Sequence, residues 1–167
     1  KKDRFQDVVW IGTDGQGVYL YSNPLYSIKS MVLSNYTEKI ERPVRAIYLD
    51  DERTFWVGTK GNGILKIYDY EFDKNISDCR AEVLTTSNSA LSSNAVYCFA
   101  KSHRNLLWIG DEEGLTYYSY REKRIKSIPI RIGNEDFKYI HDIYETADSE
   151  LWLASVGMGV VKARIAG

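Results

Sequence analysis

Apolar residues along this chain recur in short runs rather than at helical spacing. VVWIG (Val8 to Gly12), TFWVG (Thr54 to Gly58), LLWIG (Leu106 to Gly110) and ELWLA (Glu150 to Ala154) each set apolar side chains at consecutive positions around a tryptophan. Such a run, bounded by turn-forming residues, predicts a strand buried on both faces. Upstream, Val44 to Leu49, Val96 to Ala100 and Ile140 to Tyr144 mix β-branched and aromatic residues and end in polar turn-formers such as Asp50-Asp51 and Ser102-His103. These also read as strands. Downstream of the glycines, VYLYS and ILKIYDY continue in the same manner.

The runs form a repeat. Successive tryptophans, Trp10, Trp56, Trp108 and Trp152, lie 46, 52 and 44 residues apart, inside or near the period of propeller blades. Val44 and Ile47 precede Trp56 by 12 and 9 residues; Val96 and Phe99 stand in the same relation to Trp108, and Ile140 and Ile143 to Trp152. IKSMVL begins 18 residues after Trp10 and IKSIPI 17 after Trp108, the latter behind a hairpin loop one residue shorter. Each repeat therefore has four parts, and each part is a predicted strand.

The first repeat lacks its opening strand and the last stops soon after its third. The expected fold is all-β, a β-propeller fragment of about three and a half four-stranded blades. Blade 1 is incomplete at about 5–33, blade 2 runs about 43–87, blade 3 about 95–131, and blade 4 is incomplete at about 139–166. Because rings usually close with four to eight blades, completion is expected from remaining blades or from a second copy. The isolated chain is expected to be a homo-oligomer, since an open array exposes apolar faces at both ends.

The glycine-rich stretch WIGTDGQG, Trp10 to Gly17, has two readings. A phosphate cradle needs a helix N-terminus after the glycines, whereas strands follow here. The glycines are read as hairpin turns, with Gly12, Gly58 and Gly110 keeping a place small where another backbone passes.

The pattern V-x-x-I, a polar turn, then L-W-I-G-T-x-x-G-G-L resembles the two-component-regulator propeller repeat. LSSNAVYCFAKSHRNLLWIGDEEGL, Leu91 to Leu115, is its best copy. Departures are Ala154 in place of glycine, Asp111 in place of threonine, and an insertion around Glu71 to Asp78. The resemblance implies a periplasmic sensor region of a hybrid two-component system, detecting oligosaccharides and signalling to a histidine kinase elsewhere in the protein. Two alternatives stand beside it: a scaffold propeller that binds another protein, and a propeller lyase or hydrolase acting on polysaccharide.

Charge narrows the partners. With 22 basic and 23 acidic residues the formal net charge is −1, so no long-range field recruits nucleic acid or an anionic membrane. No window of 18 apolar residues is present, and KKDRFQDVVW lacks the apolar core of a secretory signal. Neither nucleic acid nor membrane contact is expected of this segment. Cys79 and Cys98 fit neither a redox nor a zinc pattern and are read as unpaired thiols, with a single disulfide as the alternative.

Catalytic chemistry is not expected, nor is a cofactor or metal. Asp111, Glu112 and Glu113 are adjacent carboxylates, but they fall in a hairpin turn and are read as solvated. His103 is placed in a turn on the opposite face from the candidate site. That site is assigned to loops on one face of the propeller, where residues are free of strand packing. Sugar rings suit aromatic platforms with orienting polar groups, which singles out Tyr36, Arg42, Arg45, Asn94, Tyr97, Lys138, Tyr139 and His141.

Overall fold

The computed structural model describes residues 1–4, 8–15, 17–22, 27–31, 42–71 and 78–164, and these are all-β. Four antiparallel sheets follow one another along the chain. The first holds β1 (Val8–Thr13), β2 (Gly17–Ser22) and β3 (Ser27–Met31). The second holds β4 (Val44–Leu49), β5 (Phe55–Thr59), β6 (Ile64–Ile67) and β7 (Ala81–Leu84). The third holds β8 (Val96–Lys101), β9 (Leu106–Asp111), β10 (Leu115–Ser119) and β11 (Arg124–Ile128). A small hairpin of β12 (Arg131–Ile132) and β13 (Glu135–Asp136) leads to the fourth sheet, β14 (Ile140–Glu145), β15 (Glu150–Ser155) and β16 (Gly159–Arg164).

Each sheet is a meander whose strands pair in sequence order, the arrangement of propeller blades. Two details differ from the sequence reading. The β12–β13 hairpin was expected to be plain loop. The first blade, read as lacking its opening strand, carries a stub there: Lys2 bridges Val9, and the Trp10 N–H donates to the Lys1 carbonyl at 2.7 Å.

The consecutive apolar residues of the tryptophan strands are explained by what covers each face. One face carries the tryptophan and packs on the next blade; the other packs on the blade before. Trp10 and Leu20 meet Phe55, Val57 and Leu65. Trp56 and Ile64 meet Leu107, Ile109 and Tyr118, and Trp108 and Leu115 meet Leu151 and Leu153. Ring contacts cross the joints, with Trp10 stacked on Phe55 at 4.2 Å and Trp56 edge-on to Tyr118 at 4.8 Å between centroids. Burying roughly 200 Å² per tryptophan is worth about 5 kcal/mol before entropy.

The small residue two after the tryptophan fits this packing. A Cβ on Gly110 would lie 2.5 Å from both the Cys98 sulfur and the Ile140 carbonyl oxygen of the next blade, and one on Gly58 would lie 2.8 Å from a Val96 methyl. In the hairpin that follows, Gly61 and Gly63 have φ of 117° and 74°, a region glycine enters without steric cost.

Buried carboxylates hold the tryptophan rings at their polar edge. Trp10 Nε1 donates to Asp3, Trp56 to Asp50 and Trp108 to Glu145, each at 2.9 Å. Asp50 also accepts from the Thr54 N–H at 2.8 Å and from the Tyr120 hydroxyl of the third blade at 3.1 Å. Glu145 belongs to the blade after Trp108, so this bond too ties neighbours together.

Cys79 is buried, and burial pushes the Cys98 thiol up to about 12. Among the described residues no helix is long and apolar enough to cross a membrane.

Candidate functional site

The opening strands β4, β8 and β14 lie side by side from blade to blade. Each contains a β-bulge at the same place, between Val44 and Ala46, between Val96 and Cys98, and between Ile140 and Asp142. The extra residues are Arg45, Tyr97 and His141. A bulge leaves its extra residue out of the ladder and re-aims its side chain, so three equivalent positions present one row of functional groups.

The members of the row interact. Tyr97 and His141 stack, with ring centroids 4.1 Å apart and planes 18° from parallel. The Arg45 guanidinium lies 3.9 Å from the Asp14 carboxylate of the first blade. Loss of solvent, and then the charge of Arg45, hold the His141 imidazole below its ordinary 6.5. Burial, followed by the Glu112 charge, raises the Tyr97 phenol, Arg45 opposing and Tyr139 adding to the rise. The row is thus a cation, a phenol that stays protonated at neutral pH, and an imidazole that favours its neutral form.

The remaining candidates serve the loops around the row. The Asn94 carbonyl accepts from the N–H groups of Gly61 and Gly63, both at 2.9 Å, and its side-chain oxygen accepts from the Thr86 N–H at 2.9 Å. Arg42 donates its backbone N–H to Asn62 at 3.1 Å, and its side-chain stem lies beside Gly61. Lys138 pairs with Glu113, and that carboxylate raises its pKa. Tyr139 is exposed at φ 55°; its N–H donates to the Glu112 carbonyl and its carbonyl accepts from Val156. Arg45, Tyr97 and His141 therefore form one group with Tyr139 beside it, while Arg42, Asn94 and Lys138 are committed to loop contacts. Tyr36 lies outside the described residues.

One expectation is corrected. Asp111 is fully buried rather than solvated. One carboxylate oxygen accepts from Ser92 at 2.6 Å and Thr116 at 2.8 Å, and the other from the N–H groups of Glu113 at 2.9 Å and Gly114 at 3.1 Å. Burial raises its pKa in spite of these bonds. All four fasten the β9–β10 hairpin and the loop before β8, which is a structural role.

A second polar cluster lies between the second and third blades. The buried Lys66 ammonium donates to the Tyr68 hydroxyl at 2.8 Å and to Glu82 at 3.0 Å, and stands 4.7 Å from the Trp56 ring and 4.4 Å from that of Tyr118. A cavity of about 540 Å³ adjoins it, lined also by Asp50, Arg80 and Lys123. Burial lowers the Lys66 pKa, Glu82 opposing. Its enclosure by Trp56 and Tyr118 makes it part of the blade joint.

His103 lies in the turn between β8 and β9, and its N–H donates to Glu145 at 3.2 Å. Among the described residues no group of three or more His, Cys, Asp or Glu side chains could hold a metal.

Sequence reasoning missed the alignment of the three bulges and the carboxylate that holds each buried tryptophan. The first had a signal: a polar or aromatic residue stands 11 positions before Trp56, Trp108 and Trp152 alike. The second had a partial one in Asp50, but Glu145 reaches back across a blade joint.

No protein-family model matches the chain. Translation initiation factor 6 from Saccharolobus solfataricus is 31% identical over 140 residues, covering 76% of this chain. The chain spans 57% of the length of that relative. Among solved structures, the chain is similar to PorZ, an essential surface component of the type-IX secretion system of Porphyromonas gingivalis. The TM-score is 0.66 at 14% identity, over 94% of this chain and 24% of that one. It is also similar to the extracellular domain of the hybrid two-component system BT3049 from B. thetaiotaomicron, with TM-score 0.60 at 19% identity, over 99% of this chain and 26% of that one. Virginiamycin B lyase from Staphylococcus aureus matches with TM-score 0.63 at 15% identity, over 96% of this chain and 53% of that one. At these identities the likeness shows the propeller-type fold.

Proposed function

We propose that this chain is the ligand-binding part of an extracytoplasmic sensor and that the row Arg45, Tyr97, His141 receives an oligosaccharide. The observation that carries the reading is the threefold repetition of the bulge, with a functional side chain at each. The repeat places the bulge at the same step of each opening strand, and a bulge re-aims the side chain of its extra residue.

The chemistry suits a sugar. A pyranose ring offers an apolar C–H face and a rim of hydroxyls. The aromatic pair Tyr97 and His141 supplies apolar surface for the face, while Arg45 donates and the neutral imidazole both donates and accepts to the rim. Likeness of fold to the extracellular domain of a hybrid two-component system agrees with a periplasmic sensor that passes its signal to a histidine kinase elsewhere in the protein. A screen of neutral and acidic oligosaccharides by calorimetry tests it. The reading predicts saturable binding that falls at least tenfold in Tyr97→Ala. Binding indifferent to that change, or release of cleaved products, contradicts a binding-only role.

A second reading, a scaffold that binds protein, is in keeping with the likeness of fold to PorZ, a surface component of a secretion system. It predicts capture of a polypeptide partner and no affinity for glycans. The aromatic and cationic character of the bulge row favours the first reading.

A further inference from the structure

We infer that the cavity between the second and third blades is a second binding site, one that holds a small zwitterion with a carboxylate and an ammonium group, such as a free amino acid. The cavity measures about 540 Å³, a size that holds small ligands. Its walls come from two complete four-stranded blades. Pairing among the charged groups of these walls leaves two of them over. The Lys66 ammonium is taken by Tyr68 and Glu82, Lys123 by Glu52 at 2.7 Å, and Asp50 by its three donors. Arg80 and Asp69 remain.

Arg80 is exposed, with its guanidinium 4.0 Å over the Tyr68 ring, and among the described residues no carboxylate pairs with it. A guanidinium held over an aromatic ring keeps donors for a carboxylate. Asp69 is exposed at φ 51°, and its carboxylate likewise has no partner among the described residues. The Tyr68 N–H donates to the Arg80 carbonyl at 2.8 Å, which sets Arg80 one position from Asp69 across the two strands. The two opposite charges are thus neighbours that no ion pair joins. A ligand with both groups satisfies both, its carboxylate accepting from Arg80 and its ammonium donating to Asp69. An anion alone would meet the charge of Asp69, and a cation alone that of Arg80.

The rest of the cavity suits a side chain with an apolar body and an acceptor at its tip. The rings of Tyr68, Tyr118 and Tyr120 line it. The Tyr118 hydroxyl accepts from Lys66 at 3.4 Å, and its own proton meets no acceptor among the described residues. Burial raises this phenol to about 12, so it stays protonated at neutral pH and is a donor. The cavity adjoins the turn between β4 and β5, at the other end of β4 from the Arg45 bulge, so this inference stands apart from the ligand reading of the bulge row.

Calorimetric titration of the chain with the free protein amino acids, one at a time, tests it. Any that binds is compared with its methyl ester, which lacks the carboxylate charge, and its N-acetyl form, which lacks the ammonium. Arg80→Gln and Asp69→Asn change exposed positions, and near-ultraviolet circular dichroism reports that each variant is folded. The expected result is saturable binding of at least one free amino acid, weakened about tenfold or more by either blocking group. Arg80→Gln is expected to weaken the free amino acid by a similar factor and to leave the methyl ester unchanged; Asp69→Asn does the same for the N-acetyl form. Tyr97→Ala is expected to leave all of these affinities unchanged. Four results overturn the inference: no binding by any amino acid; an ester or N-acetyl form that binds as well as its parent; indifference to Arg80→Gln or Asp69→Asn; and loss of binding in Tyr97→Ala, which would move the ligand to the bulge row.

Discussion

The Tyr97 ring lies over the His141 ring, 18° from parallel with centroids 4.1 Å apart, although 44 residues separate them in the chain. Both are bulge residues at the same step of their opening strands. Adjacent blades therefore bring equivalent positions face to face, and Arg45 extends the row into the second blade. The repeat multiplies one backbone irregularity into a surface.

The imidazole of His141 is the most direct reporter of that surface. Its folded pKa lies below 6.5 because of burial and then Arg45. Between the folded and unfolded values the unfolded chain binds more protons, so this group leaves stability unchanged above pH 6.5 and reduces it as pH falls through that window. With His103→Gln removing the other histidine, a proton NMR titration is expected to show a midpoint below 6.5. Arg45→Gln is expected to move it partway back, the burial contribution remaining. A midpoint at or above 6.5 in the parent contradicts the geometry.

Glycine two after the tryptophan is expected to matter unequally. Gly110→Ala sets a Cβ against the Ile140 backbone of the next blade and the Cys98 sulfur of its own and is expected to cost about 2 kcal/mol in urea unfolding. Gly12→Ala meets only a Val44 methyl at 3.6 Å and is expected to be within about 0.5 kcal/mol of neutral or slightly stabilising, since alanine restricts the unfolded chain. Equal effects at the two positions contradict the packing described.

Asp50 accepts from Trp56, Thr54 and Tyr120, and its removal strands buried donors in two blades. Asp50→Ala is expected to cost about 2–4 kcal/mol by denaturant melts, and Asp50→Asn less, because its carbonyl still accepts. A loss below about 1 kcal/mol for alanine contradicts the proposed tie between blades.

The blade framework was legible in the sequence because each strand of the repeat has both faces determined by neighbours of the same kind. Val44, Val96 and Ile140 stand at one register, and Trp56, Trp108 and Trp152 at another, and the sheets formed accordingly. The stub at Lys1 to Asp3 was illegible, since three polar residues carry no alternation. So was the burial of Asp111, whose environment is assembled from Ser92 and Thr116 in other elements. For the site, residues were chosen by type from loops, but composition cannot distinguish Asn94, consumed by its own loop, from Tyr97, the extra residue of a bulge.

Lys66 and Glu82 test the difference between removing a buried charge and stranding it. Lys66→Met keeps the packing against Trp56 and Tyr118 and is expected to change stability by less than about 1 kcal/mol, or to raise it. Glu82→Ala leaves the ammonium in its apolar surroundings; because Glu82 is half exposed, the expected cost is about 1–2 kcal/mol rather than the full penalty of a buried pair. Thermal denaturation of both variants at pH 7 decides, and a larger loss for Lys66→Met than for Glu82→Ala contradicts the expectation.

Oligosaccharide titration of the chain, followed through the imidazole resonances of His141 and His103, bears most directly on the central claim that the bulge row is a ligand site. The account predicts a saturable shift of His141, with His103 on the far face unmoved and the effect abolished in Tyr97→Ala. Binding that leaves His141 unshifted, or no binding by any neutral or acidic oligosaccharide tried, contradicts it.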